Sequence, residues 1–203
     1  MLPRQVPLRH VIAAACAVVA LVVTAGCTVR VGDDKDDAGA QVFDEGNSMQ
    51  WDLTRPLEAE TLGLPSDDMV VVAVPEDATV SLTLPSGTWT GGTEEMTVTT
   101  RHGYVDQVDL FWTEQDGQAA ADRMVADAPL LGVDAAQVAR WAETAQWAET
   151  ADVNETRARD NYNGAAGEVS TAIKPSMAVG KGPGTPVRLW YKFYVRDVVE
   201  TAG

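Results

Sequence analysis

The stretch Val187-Arg188-Leu189-Trp190-Tyr191-Lys192-Phe193-Tyr194-Val195-Arg196 decides the fold. Successive side chains of an extended chain point to opposite faces. Val187, Leu189, Tyr191, Phe193 and Val195 therefore share one face, and Arg188, Trp190, Lys192, Tyr194 and Arg196 share the other. The first face is apolar without interruption and requires a cover. The second mixes cations with aromatics. Working back from it, residues 175–186 are rich in Gly and Pro and read as a loop, and Val169, Thr171 and Ile173 mark the preceding strand. Residues 150–167 are polar, with Asn163-Gly164 as a turn.

Further upstream the period changes from two to that of a helix. Asp116 is placed to cap a helix whose Ala120, Met124, Ala128 and Leu131 fall on one side, with Gly132 as its stop. Asp134 caps a second, and Gln137 three residues on completes a capping box. Val138, Trp141 and Ala145 form its apolar side, and Trp147 is expected to cover its end. The near-repeat of Trp-Ala-Glu-Thr-Ala at Trp141 and Trp147 has a period of six. Six residues turn a helix by about 240°, so the two rings face differently and no repeat architecture follows.

Before the helices the strand signals return. Residues 69–74 are continuously apolar and read as a strand buried on both faces. Val80, Leu82 and Leu84, then Met96 and Val98, then Val108, Leu110 and Trp112 each alternate with polar or outward residues. Turns are expected at Pro75-Glu76-Asp77, Pro85-Ser86-Gly87 and Gly91-Gly92. Between the last two of these strands, a two-residue His102-Gly103 loop would set Val98 against Gln107. A three-residue loop, Arg101-His102-Gly103, aligns Met96 with Val108 and is the expected one. Thr54-Arg55-Pro56-Leu57 can open a short helix that stops at Gly63-Leu64-Pro65. Strands, two helices and strands in that order predict an α+β fold: a mainly antiparallel sheet with a helix pair on one face, forming one domain over residues 51–203.

The N-terminus has a different character. Residues 1–10 carry Arg4 and Arg9 and no acid, and residues 11–26 are apolar and end in small residues. That is the layout of a secretory signal peptide over residues 1–26. The arginines are not adjacent, which favours the general secretory route over the twin-arginine one. The run closes with Val23-Thr24-Ala25-Gly26-Cys27, which resembles the lipobox of bacterial lipoproteins. The resemblance covers the first 27 residues and leaves the domain unassigned. It implies cleavage before Cys27, diacylglycerol on its thiol, and a cell-membrane location on the extracytoplasmic face. Cys16 has too short an apolar run before it to serve the same role. An uncleaved span is disfavoured, because sixteen residues reach only about 24 Å along a helix, less than the ~30 Å hydrocarbon layer. Residues 27–50 include Asp33-Asp34-Lys35-Asp36-Asp37 and read as an acidic tether.

The signal segment holds two of the 15 basic residues and none of the 30 acidic ones, so the remainder carries 13 against 30, a formal −17. Such a surface opposes nucleic acid and anionic lipid headgroups. The expected partners are the membrane, through the lipid on Cys27, and a protein or polymer of the envelope. With Cys16 removed and Cys27 lipidated, no internal disulfide is available. One histidine, His102, remains after the signal, so multi-His or multi-Cys zinc sites and cysteine nucleophiles are excluded within one chain. His102 falls in a tight turn, and there is no Gly-x-Ser-x-Gly elbow or phosphate loop. No cofactor, no metal and no catalytic residue is expected.

Arg188, Trp190, Lys192 and Tyr194 are the candidate binding residues, since cations interleaved with aromatics suit stacking on sugars and pairing with oxyanions. The competing reading puts Trp190 and Tyr194 beneath the helices, with only the cationic tips outside. A non-catalytic binding lipoprotein is thus the leading expectation. A lipid or glycolipid carrier and an envelope-polymer hydrolase are its rivals. In mass spectra of membrane-extracted protein, Cys27→Ala should remain an unprocessed precursor without diacylglycerol; a mature N-terminus elsewhere would refute the lipobox.

Overall fold

The computed structural model describes residues 42–152, 156–195, 198 and 200. The expected signal peptide, the candidate lipidation residue Cys27, most of the expected acidic tether and Arg196 lie outside the described residues. The fold is α+β. Its main body is a seven-stranded sheet built on the path β2-β5-β6-β10-β9-β7, with β8 also paired to β9. These strands are β2 (Met69–Val72), β5 (Glu95–Arg101), β6 (Tyr104–Glu114), β7 (Arg157–Arg159), β8 (Tyr162–Ala166), β9 (Val169–Ala178) and β10 (Val187–Tyr194). All of its pairings are antiparallel. A second sheet of three strands has β3 (Thr79–Leu84) between β1 (Ser48–Asp52), which is parallel to it, and β4 (Gly87–Gly92), which is antiparallel.

One face of the main sheet is covered, and β10 shows why. Val187, Leu189, Tyr191 and Phe193 are fully buried while the residues between them are half-exposed. Helix α1 (Gly117–Leu131) lies over β6, β9 and β10, and α3 (Trp141–Thr150) over β7 and β9. Trp89 of β4 inserts into the same layer, with ring centroids 5.9 Å from each of Trp112, Tyr191 and Phe193. The cover is therefore a helix pair plus a small sheet, where the sequence predicts helices alone.

The helix signals hold. Asp116 accepts from the Ala119 N–H at 2.8 Å, and Gly132 ends α1 with φ 61°. Asp134 accepts from the N–H groups of Ala136 and Gln137. The second helix is two segments, α2 (Ala135–Ala139) and α3, meeting at Arg140; Val138, Trp141 and Ala145 are buried as expected. Trp147 is exposed and does not cover the helix end.

Several expectations are corrected. Thr54 to Leu57 form no helix; one 3-10 turn follows at Glu60–Leu62, closed by Gly63 with φ 66°. Met69 and Val71 are exposed, because β2 is a sheet edge with one open face. Residues ahead of Trp51 also belong to the core: Val42, Phe43 and Met49 are buried in it. Gly91-Gly92 closes the strand β4 and Asn163-Gly164 lies within β8. Gly164 is needed for clearance: a Cβ there would stand 2.4 Å from the Leu131 carbonyl oxygen, where β8 crosses the end of α1. Strand β9 runs on through Pro175 to Ala178, well into the expected loop. Lys174 and Pro175 are the two positions of β9 that neither β7 nor β8 pairs, so the missing N–H of Pro175 falls at a break in the edge.

The β5–β6 hairpin has the two-residue loop, with Arg101 opposite Tyr104 and positive φ at His102 (53°) and Gly103 (82°). This is the turn sense that suits strand twist. The mismatch it would cause is removed by a bulge. Thr100 pairs Val105 and Thr99 pairs Gln107, so Asp106 is the extra residue and Val98 faces Val108. The Asp106 carbonyl accepts from the Val195 N–H at 3.0 Å.

Two stability outcomes follow from this arrangement. In denaturant unfolding, Phe193→Ala should cost roughly 3–5 kcal/mol as a large core truncation. His102→Asn should stay within about 0.5 kcal/mol, and Gly103→Val should cost more than about 1 kcal/mol because a β-branched residue resists positive φ.

Candidate functional site

Among the described elements, none of the three α-helices packs on the other face of the main sheet, and the strand registers build it row by row. Glu95 of β5, Phe111 of β6, Trp190 of β10 and Lys174 of β9 stand directly opposite one another in sequence across four strands. The next row toward one end is Thr113, Arg188, Ser176 and Arg159. Toward the other end come Thr97, Asp109, Lys192 and Ala172, and then Thr99, Gln107, Tyr194 and Ser170. All four candidate binding residues thus share one open surface, and Trp190 and Tyr194 are not beneath the helices.

The centre of the surface is aromatic. Phe111 and Trp190 stack with centroids 5.2 Å apart and planes 23° from parallel. The ammonium groups of Lys174 and Lys192 lie 4.6 and 4.5 Å from the Trp190 ring centroid. Lys192 also lies 5.0 Å from Tyr194, and the Arg188 guanidinium 5.4 Å from Phe111. Cations gain from the negative face of an aromatic ring, more so where water is partly excluded.

Two of the predicted cations are already matched by carboxylates. Arg188 bonds Glu94 through Nη1 at 2.8 Å and Glu95 through Nη2 at 2.7 Å. Lys192 Nζ is 3.8 Å from Oδ1 of Asp109, whose carboxylate is buried and also accepts from Trp190 Nε1 at 3.0 Å and from Gln107 Nε2. The Trp190 ring is thereby held in a fixed orientation by its own N–H.

The unmatched charge lies one strand further on. Among the described residues, no carboxylate is within ion-pair distance of Arg157, Arg159, Lys174 or Lys181. These four were not singled out by sequence, because β7 was not foreseen and Lys181 sits in a loop. A signal did exist: Arg157 and Arg159 flank Ala158 with strand period, and Ala158 is buried while both arginines are exposed. A depression of about 510 Å3 is lined by Phe111, Trp190, Pro175, Lys174, Arg157 and Arg159, with the carboxylates of Glu95 and Asp160 also on its rim. His102, by contrast, lies in its exposed turn with its backbone N–H donating to Asp67 at 2.7 Å. That bond holds the Asp67 carboxyl below its ordinary range.

On the covered face, burial pushes the Tyr191 phenol well above its ordinary range, and the Asp127 carboxylate adds to this. Tyr191 therefore stays neutral in the layer that Arg123 enters, with its guanidinium 5.4 Å from Trp89 and 5.7 Å from Trp112 and its Nε bonded to Asp127.

A scan against protein-family models, a search of curated proteins and a search of solved structures each found no match to this chain. The reading of the site thus rests on its own geometry.

The two ion pairs should respond differently to truncation. Lys192→Ala removes the cation from a buried carboxylate and should cost roughly 2–3 kcal/mol in equilibrium unfolding. Arg188→Ala leaves Glu94 and Glu95 in water and should cost under about 1 kcal/mol. Equal losses would show that the Asp109 carboxylate is no more dependent on its cation than the exposed pair.

Proposed function

We propose that this protein is an extracytoplasmic lipoprotein, held to the cell membrane through lipid on Cys27, whose domain is a non-catalytic binding module for an envelope polymer. The observation that carries this reading is the open sheet face. It presents Phe111 and Trp190 stacked at 5.2 Å and ringed by cations, in a chain that is otherwise strongly acidic. A surface of this kind offers an apolar platform and oxyanion-pairing groups together, the two requirements for holding a charged glycan.

The carrier alternative receives less support. A lipid would have to occupy the space between sheet and helices, and Trp89, Trp112, Tyr191 and Phe193 fill that layer. An enclosed apolar volume is what a lipid ligand needs. An acidic tether would also fit the reading, since it keeps the domain off an anionic membrane surface.

Co-sedimentation of the detergent-solubilised full-length protein with purified cell-wall fraction tests the proposal. Wild-type protein should pellet with the wall, and Lys174→Glu should bind about tenfold more weakly while melting at the wild-type temperature. Failure of the wild type to pellet, or undiminished binding by Lys174→Glu, would overturn it.

A further inference from the structure

Beside the depression at Trp190 lies a second, of about 410 Å3, lined by Lys181, Pro183, Gly184, Pro186 and Ala178 together with Arg157 and Arg188. Arg157 and Arg188 line both, so the two depressions adjoin. We infer that they form two successive subsites for a linear saccharide with repeating carboxylate or phosphate groups, one anionic group seated in each. The inference rests on the reading of the open face as a binding surface and adds to it the ligand's chemistry and its repeat.

The charge distribution is the first ground. Ten lysines and arginines lie among the described residues, and six of them belong to this strip: Arg157, Arg159, Lys174, Lys181, Arg188 and Lys192. Four of the six have no carboxylate within ion-pair distance among the described residues. Of the four elsewhere, Arg55 is paired with Asp52 and Arg123 with Asp127, while Arg101 and Arg140, also without an ion pair among the described residues, stand singly at the β5–β6 hairpin and between α2 and α3. Acids are plentiful among the described residues, yet none of those pairs with these four, which leaves capacity for an external anion.

The distribution of that capacity is the second ground. Arg159 and Lys174 serve the first depression only, Lys181 the second only, and Arg157 both. Arg157 is pre-set for this: its Nε donates to Ser176 Oγ at 2.8 Å, which fixes the guanidinium plane. Arg188 is held by Glu94 and Glu95 and acts as the wall between the subsites. A single small anion would satisfy one half and leave the other cations unpaired, so two anionic groups on one chain are the matching ligand.

The third ground is the apolar lining. The first depression has Phe111, Trp190 and Pro175, and the second has Pro183 and Pro186. Aromatic rings in the first suit the C–H faces of sugar rings and the prolines of the second add apolar contact, which a bare polyanion cannot use. The loop backbone at the second subsite is tied down, since the Gly182 N–H donates to the Glu149 carbonyl and the Gly184 N–H to the Glu149 side chain.

The test is calorimetric titration of the full-length protein in neutral detergent with galacturonate oligomers of one to six residues. Phosphorylated dextran fragments of matched length form a second arm, and cellohexaose and linear polyphosphate complete the set. Affinity should rise about tenfold or more between the monomer and the trimer in at least one anionic arm, and the stronger arm identifies the oxyanion. Cellohexaose should not bind measurably, and polyphosphate should bind more weakly than the preferred saccharide. Arg157→Gln with Lys181→Gln should abolish the gain with length and also weaken monomer binding, because Arg157 lines both subsites; Arg55→Gln, on a remote exposed cation, should change neither. Absence of length dependence in both arms, an unchanged gain in the double variant, or polyphosphate binding as tightly as the saccharides would overturn the inference. If that happens while the protein still pellets with the wall, the two-subsite inference fails alone. If pelleting is lost as well, both fail.

Discussion

The rest of the molecule depends on the ladder that β10 makes with β6 on one side and β9 on the other. Because side chains alternate, that ladder cannot choose the contents of its two faces separately. Placing Leu189, Tyr191 and Phe193 under a cover obliges Arg188, Trp190, Lys192 and Tyr194 to face outward. A register slip of one residue would bury the two cations Arg188 and Lys192 and expose the core. In the described residues no disulfide assists, so the aromatic layer of Trp89, Trp112, Tyr191 and Phe193 supplies the cohesion.

That constraint explains what was legible in the sequence. A strand with one covered face writes its pattern plainly, and so do β3, β5 and β10. Helix caps at Asp116 and Asp134 are local chemistry and were equally plain. What failed to show were features whose cause is remote. Gly164 looks like a turn residue because a glycine beside an asparagine usually is one, yet its reason is the Leu131 carbonyl more than thirty positions away in the chain. The bulge at Asp106 was invisible for a similar reason. It exists to reconcile a good two-residue turn with the pairing of Val98 and Val108, and the strand pattern alone records the pairing without the device.

The site was half legible for the same physical reason. The composition of one strand face can be read along one strand, so Arg188, Trp190, Lys192 and Tyr194 were found together. Which charges are free cannot, because that depends on cross-strand neighbours. Arg188 meets carboxylates carried on the turn and start of β5, and Lys192 meets Asp109 of β6, directly opposite it in the register. Pairing shifts the available charge from β10 toward β9 and β7, where the sequence had offered a strand marked only by Val169, Thr171 and Ile173, a loop from residue 175 and a polar stretch.

This displacement bears on how an acidic protein can hold an acidic ligand at all. At a distance the net charge of −17 over residues 27–203 opposes any polyanion, but in physiological salt that opposition decays over about 8 Å. Within that range the local set governs, and a cation already paired with a carboxylate contributes little to it. The uncompensated members, Arg157, Arg159, Lys174 and Lys181, therefore determine the local field, while Arg188 and Lys192 fix the aromatic rings that stand between them. The two kinds of cation divide the work: the paired ones give the surface its shape, and the unpaired ones give it its sign. The surrounding acids act as a boundary, so that among the described residues the largest group of cations without an ion pair is confined to this one strip.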